Sequence, residues 1–293
     1  MGPQFRGAEG DMFKTKRSVG SPDRPDAAPS ADERLLEQRL REAVANGKFH
    51  LQYQPLVSVA TGDVVGLEAL LRWDSDAGRV YPASFLPMLE ATGLVNDVGP
   101  WVLAKACGEV RPWLESHPEL FLAVNISPQQ AVQGFADWVL GTLSTIGVSP
   151  DRLCLELVQP AAIADPTVAW GELRRLKSAG VRLSLDDFGA LGSSIADLRR
   201  FVIDWVKIDS SFVSGLGRNA DDEAVVAAII ALAHAFGLQT IAECVETKIQ
   251  LECLQRLGCD LAQGFLLMEP LSMAGVGALL AELDADVARP AQV

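Results

Sequence analysis

The stretch from Val181 to Gly189, Val-Arg-Leu-Ser-Leu-Asp-Asp-Phe-Gly, runs as an apolar strand and stops at two adjacent carboxylates, Asp186 and Asp187. A chain that buries such a strand must also deal with the charges at its end, because an isolated ionised carboxylate in a low-dielectric site costs many kcal/mol. The pair is therefore solvated, protonated or held by a cation. In the first case the aspartates form a wet turn that caps a helix through backbone N–H bonds. In the last a divalent ion offsets both charges, with Asp186 able to bridge two ions while Asp187 holds one. The choice turns on whether other strands end the same way.

Composition narrows the setting. Of 293 residues, 49% are hydrophobic, enough for one large core or two modest ones. A net charge of −13 excludes general electrostatic attraction to nucleic acid or to an anionic membrane, so any anionic ligand has to be received locally. The five cysteines (Cys107, Cys154, Cys244, Cys253, Cys259) are odd in number and lack C-x-x-C spacing, which predicts reduced thiols and a cytoplasmic setting. His50, His117 and His234 are scattered and form no metal motif. Residues 1–30 carry no apolar signal core, and Pro22, Pro25 and Pro29 among small polar neighbours predict a disordered tail. The uncharged run from Ala224 to Thr240 is broken by His234 and Gly237 and falls short of the ~20 apolar residues of a membrane span. It reads as a buried helix followed by a strand, and no membrane segment is expected.

From residue 31 onward strands and helices alternate. An amphipathic helix carrying Leu35, Leu36, Leu40, Ala43 and Val44 ends at Gly47. Strands are predicted over Phe49 to Val59, Val64 to Trp73, Phe121 to Asn125, Leu153 to Leu157, Val181 to Asp186, Asp204 to Ile208, Gln239 to Glu243 and Leu261 to Phe265. Only Ala60 to Asp63 separates the first two, which suits an antiparallel hairpin, whereas a parallel crossover needs a dozen or more residues. Eight strands with intervening helices, too uniformly apolar to face water on one side, predict an α/β fold: a TIM-like (β/α)8 barrel with one antiparallel strand at the first hairpin. Barrel chemistry collects at the C-terminal ends of the strands. Those positions read Glu68 (within the second strand), Asn125, Glu156, Asp186 with Asp187, Lys207, Glu243 with Glu246 nearby, and Gln263. All but the lysine are hard oxygen donors, a set that selects Mg²⁺ or Mn²⁺ over zinc.

Glu68-Ala69-Leu70, followed by Leu71-Arg72-Trp73, resembles the signature of the EAL domain, the bacterial cyclic di-GMP phosphodiesterase family. The likeness runs from about Glu33 to Leu283 through Tyr53-Gln54-Pro55, Asn125-Ile126-Ser127, Asp186-Asp187-Phe188-Gly189, Lys207-Ile208-Asp209, Ala242 to Thr247, and Gln263-Gly264-Phe265. It implies a barrel domain over 31–286, a short tail over 287–293, and two ions, Mg²⁺ or Mn²⁺, that assist hydrolysis of cyclic di-GMP to linear pGpG. By the resemblance, Glu68, Asn125, Glu156 and Asp186 hold the first ion, and Asp186, Asp187 and Glu243 the second. Lys207 orients the attacking water or offsets transition-state charge, Glu246 and Gln263 tune the water shell, and Glu243 is the alternative general base. Gln54 and Arg72 grip the ligand, the arginine offering a planar fork suited to phosphate. A homodimer is implied. Asp11 to Arg17 resembles the end of a diguanylate cyclase domain, so an upstream sensor or cyclase is a further expected partner. Two positions depart from the family pattern: Gln159 replaces an acid, and Gly189-Ala190-Leu191-Gly192-Ser193-Ser194 replaces Gly-Thr-Gly-Tyr-Ser-Ser. Cys244 and Glu269 depart more mildly. Two function classes stay open: a phosphodiesterase, and a weak or inactive EAL domain acting as a cyclic di-GMP receptor or protein-interaction module.

Overall fold

The hairpin marked by the short connection after Ser58 is the seam at which the sheet closes on itself. The computed structural model describes residues 31–75, 78–80, 82–157, 163, 165–189, 198 and 202–287. The tails at 1–30 and 288–293, together with Gln159 and Ala190 to Ser194, lie outside the described residues. In chain order the elements are α1 (Ala31–Ala45), β1 (Phe49–Ser58), β2 (Val64–Ser75), β3 (Gly78–Val80), α2 (Pro82–Ala91), α3 (Val95–Ser116), β4 (Phe121–Ile126), α4 (Phe135–Ile146) and β5 (Leu153–Leu157). There follow α5 (Pro166–Ser178), β6 (Arg182–Phe188), β7 (Trp205–Ile208), α6 (Ser210–Val213), α7 (Ala220–Ala235), β8 (Gln239–Ala242), α8 (Lys248–Leu257), β9 (Leu261–Ala262) and α9 (Met273–Val287).

β1 runs antiparallel to both of its neighbours, β2 and β9, while β2, β4, β5, β6, β7, β8 and β9 follow one another in parallel. Eight strands thus close into the expected mixed barrel. β3 was not foreshadowed; it adds a short antiparallel strand to the far end of β2, pairing Trp73 with Val80. β8 and β9 are shorter than the apolar runs predict, and Glu243 and Gln263 each stand one residue past a strand end. The run from Ala224 to Thr240 divides into α7 and β8 as expected, and no described helix is long and apolar enough to cross a membrane.

Strand side chains alternate between faces with period two, and here one face meets helices while the other meets the barrel axis. Leu122, Val124, Leu155, Leu183, Leu185, Val206 and Ile208 belong to the same core as Leu103, Ala106 and Val110 of α3, Leu143 of α4 and Leu176 of α5. A fully buried side chain of this size contributes about 1.5–3 kcal/mol. The opposite parity gives Phe121, Ala123 and Asn125 on β4, Cys154 and Glu156 on β5, Arg182, Ser184 and Asp186 on β6, and Trp205 and Lys207 on β7. Its N-terminal half is apolar: Leu56, Phe121, Cys154, Trp205 and Ile241 form a separate buried cluster, with the rings of Phe121 and Trp205 4.6 Å apart. The Phe121 ring needs Gly66 opposite it, because a Cβ there would lie 2.5 Å from the ring. Arg182 lies over the rings of this plug at the opposite end, while Asn125, Glu156, Asp186 and Lys207 gather toward the C-terminal mouth.

Candidate active site at the carboxyl rim of the barrel

Two neighbouring residues of a regular strand point to opposite faces, so Asp186 and Asp187 cannot both serve one site without a break in the ladder. The break is present. Leu185 pairs with Val206 and Phe188 with Ile208, which leaves both aspartates opposite Lys207 alone. Such a two-against-one bulge re-aims side chains, and Asp187 completes it with a left-handed φ of 51°, a conformation aspartate tolerates better than most residues. Its N–H donates to Asp186 Oδ1 at 2.9 Å. The consequence is a cluster in which one carboxylate oxygen each from Asp186, Asp187 and Glu243 lie within 4.8 Å of one another.

Lys207, 1% exposed, stands at the centre of the rim. Its Nζ lies 2.7 Å from Glu156, 2.7 Å from Glu243, 3.5 Å from Glu68 and 3.7 Å from Asp186. Glu68 is gripped at both oxygens, by Asn125 Nδ2 at 2.7 Å and Gln263 Nε2 at 2.8 Å. Asn125 therefore turns its amide nitrogen to Glu68, leaving its Oδ1 as a donor oxygen for a cation. Gln263 also donates to Gln54 Oε1 at 3.2 Å, and Gln54 Nε2 donates to the Met268 carbonyl at 3.1 Å. Of the expected site residues, the structure gathers Glu68, Asn125, Glu156, Asp186, Asp187, Lys207, Glu243, Gln263 and Gln54. Arg72 stands four residues beyond Glu68 on β2, with Nε on Gln52 Oε1 at 2.7 Å and Nη1 on the Leu71 carbonyl at 3.0 Å. Glu246 is exposed on the loop before α8, its N–H given to Gln250 Oε1 at 2.7 Å.

The electrostatics show a site short of positive charge. Four carboxylates (Glu68, Glu156, Asp186 and Glu243) share one ammonium and Asp187 adds a fifth beside Asp186 and Glu243, so five carboxylates and Lys207 together carry four negative charges when all are ionised, the charge two divalent ions would balance. Burial, then the neighbouring carboxylates of Glu68 and Asp186, push Glu156 well above the usual range despite Lys207. Burial likewise raises Glu243 to about 8 against the opposing pull of Lys207. Burial works against ionisation of Glu68 too, but Lys207 and the amides of Gln263 and Asn125 outweigh it and hold that carboxyl low. Burial would drive Lys207 down, yet Asp186, Glu156, Glu243 and Glu68 keep it firmly protonated. Glu156 Oε1 is buried and makes no hydrogen bond, an orphaned acceptor facing this set. Hard oxygen donors, a surplus of negative charge and an unsatisfied buried carboxylate oxygen together fit Mg²⁺ or Mn²⁺.

Several supporting residues were not anticipated from the sequence. Cys244, next to Glu243, carries a positive φ of 53° and turns the chain sharply behind that carboxylate. Gln250 accepts from the N–H groups of Glu246 and Thr247 and fixes the loop; the Thr-x-x-Gln capping box over Thr247 to Gln250 was its readable signal. Gly264 lets the Gln263 segment lie against Val245, whose N–H donates to the Gln263 carbonyl at 3.0 Å. A Cβ at Gly264 would sit 2.1 Å from the Val245 nitrogen, so Gly264→Ala is expected to cost about 1–3 kcal/mol or more. Thermal unfolding checks this, as a fall of about 2–4 °C per kcal/mol. A cavity of about 730 Å³ also opens at the opposite mouth of the barrel, beside Phe121, Arg182, Gln239 and Asp260. None of the rim carboxylates lines it, and Asp260 there is engaged by Thr240 and His234, so the chemistry belongs to the rim.

Fold and site together define a mixed (β/α)8-type barrel with an oxygen-donor, cation-accepting centre at its carboxyl rim. The chain belongs to the EAL domain family, whose model matches residues 37–270. It is 41% identical over 246 residues to the bifunctional diguanylate cyclase/cyclic di-GMP phosphodiesterase MucR of Pseudomonas aeruginosa, covering 83% of this chain and 36% of that protein. The chain thus spans about a third of the length of that relative. Among solved structures, it is similar to the PaMucR phosphodiesterase in complex with c-di-GMP, with a TM-score of 0.76 and 40% identity over 81% of this chain and 97% of that one. It is also similar to the EAL enzyme Bd1971 bound to cAMP and cyclic di-GMP, with a TM-score of 0.81 and 30% identity over 85% of this chain and 69% of that one.

Proposed function

We propose that this chain hydrolyses cyclic di-GMP to linear pGpG with two divalent ions, Mg²⁺ or Mn²⁺. The observation that carries the reading is the convergence of four carboxylates on one lysine at the rim, with Asp187 beside two of them, Asn125 bonded to Glu68 and Glu156 Oε1 left unsatisfied. Glu68, Asn125, Glu156 and Asp186 would hold one ion, and Asp186, Asp187 and Glu243 the other. When bound, the ions supply Lewis-acid polarisation of the phosphodiester and make water acidic enough to attack near neutral pH.

The protein's own groups do the rest. Water oxygen forms the new bond to phosphorus, the bond from phosphorus to the ribose 3′ oxygen breaks, and that oxygen takes a proton from solvent to become a hydroxyl, balanced by release to solvent of the proton drawn from the attacking water. Glu243 is the carboxylate assigned to take the proton from the attacking water. Lys207, fixed and charged, offsets the negative charge that builds on the phosphoryl oxygens. Gln263 and Asn125 keep the Glu68 carboxylate in one orientation, a support of the kind that governs metal affinity. Arg72 presents its planar guanidinium to a phosphate at the mouth, and Glu246 lies outside the lysine cluster as an outer support. Gln54, with its amide shared between Gln263 and Met268, acts on the ligand from a fixed position.

Incubation of the purified protein with cyclic di-GMP and Mg²⁺ or Mn²⁺, with products separated by chromatography, tests the reading; pGpG is the expected product. The receptor reading draws on Gln159 and Leu191, where the sequence departs from the family pattern. Saturable cyclic di-GMP binding without pGpG would establish it and overturn the hydrolytic one.

A further inference from the structure

The Lys207 ammonium does more than its proposed part in hydrolysis requires. It is buried among carboxylates contributed by β2, β5, β6 and the residue that follows β8, at 2.7 to 3.7 Å from each. These are the same side chains assigned to the ions. Without a cation among them, four carboxylates, three on strands and one just past β8, would repel one another at the mouth of the barrel, with little water to screen them. The bulge at Asp186 and Asp187 opposes Lys207 in the ladder, and Asp186 within it lies 3.7 Å from the same ammonium.

We infer that Lys207 is also a positioning residue: its ammonium gathers the ligand carboxylates before any divalent ion is bound, and gives up part of that role when one binds. The first half stands on the geometry of the lysine alone, and the second rests on the proposed two-ion site. One consequence is that an ion does not have to assemble its ligands from scattered positions. Another is that ion and ammonium compete for the same oxygens, so the lysine weakens the ion's affinity while it secures the fold.

Thermal unfolding of the full chain in EDTA and then in increasing MnCl₂ tests this, for the natural protein, Lys207→Met, and Lys207→Met with Glu156→Gln. Methionine keeps most of the length and removes the charge. In EDTA, Lys207→Met is expected to melt about 5–15 °C lower, the scale set by removing one partner of a buried ion pair in a domain of this size. The double variant is expected to regain part of that loss. Saturating Mn²⁺ is expected to raise the melting temperature of Lys207→Met by at least about twice as many degrees as that of the natural protein, because the ion restores the missing charge. A Lys207→Met melting temperature within about 2 °C of the natural protein in EDTA overturns the first half. Equal Mn²⁺ shifts in both proteins overturn the second. Should Lys207→Met fold only with Mn²⁺, the inference is supported; should it fail in both conditions, an equally unstable double variant points to lost packing and overturns it. A natural protein with no Mn²⁺ shift counts against the two-ion site, while the EDTA comparison still decides the role of the lysine. No cyclic di-GMP enters these measurements, so they stand or fall separately from the hydrolytic reading.

Discussion

Glu68→Ala is expected to lower turnover of cyclic di-GMP by roughly 10³-fold or more, about 4 kcal/mol of transition-state stabilisation, while the barrel stays folded. The size follows from what the carboxylate touches. One oxygen accepts from Asn125 and the other from Gln263, with Lys207 3.5 Å away, so the side chain is both an ion ligand in the proposed site and the anchor of two amides. Truncation removes the ligand and one acceptor from each amide, although Gln263 keeps Gln54 and the exposed Asn125 can turn to water. The fold tolerates this because Lys207 keeps Glu156 and Glu243 at 2.7 Å and the apolar plug below is untouched. Glu68→Gln separates the two contributions, since the amide fills the same space without the charge. Steady-state rates by chromatography and melting temperatures by calorimetry are the measurements. A Glu68→Ala protein that turns over at the natural rate would place the ion elsewhere and remove the basis of the proposed site.

Chelation of divalent ions is expected to have an effect of similar size. Lys207 supplies a single positive charge to four carboxylates, and burial already holds Glu156 and Glu243 toward their protonated forms. A site in that condition has fewer ionised oxygens and only the Lys207 ammonium to polarise a phosphodiester. In EDTA, turnover is expected to fall to background, and excess Mg²⁺ or Mn²⁺ to restore it. Ca²⁺ is expected to bind without restoring the rate, because it prefers longer bonds and looser geometry than a site built for a small octahedral ion. Brisk hydrolysis that survives thorough chelation would exclude the two-ion reading, whatever the affinity for cyclic di-GMP.

Much of this architecture was readable before any coordinates. The uniformly apolar strand runs, the four-residue hairpin connection and the repeated polar residue at each strand end are local properties, and local sterics translate them directly into strands, a turn and a pleat of period two. That is why the mixed barrel and its carboxyl rim followed from the sequence, and why Glu68, Asn125, Glu156, Asp186, Lys207 and Gln263 could be named as one set. Other features depended on the closed ring. Nothing in the Asp186-Asp187 dipeptide states that both side chains face one mouth; the bulge against Lys207 does that, through a mismatch in the ladder with β7. Gln54 was expected to contact the ligand from its place in the sequence, and closure of β1 against the segment after β9 is what brings it to Gln263 and Met268. Glu243 and Gln263 were expected inside strands, yet they lie just past them, where the chain can turn their side chains inward. By itself the sequence determined which residues carry charge, which are apolar and with what period. Only the tertiary structure decided that a single ammonium stands at 2.7 to 3.7 Å from four carboxylates, because that distance is set by the closure of eight strands and not by any stretch of chain.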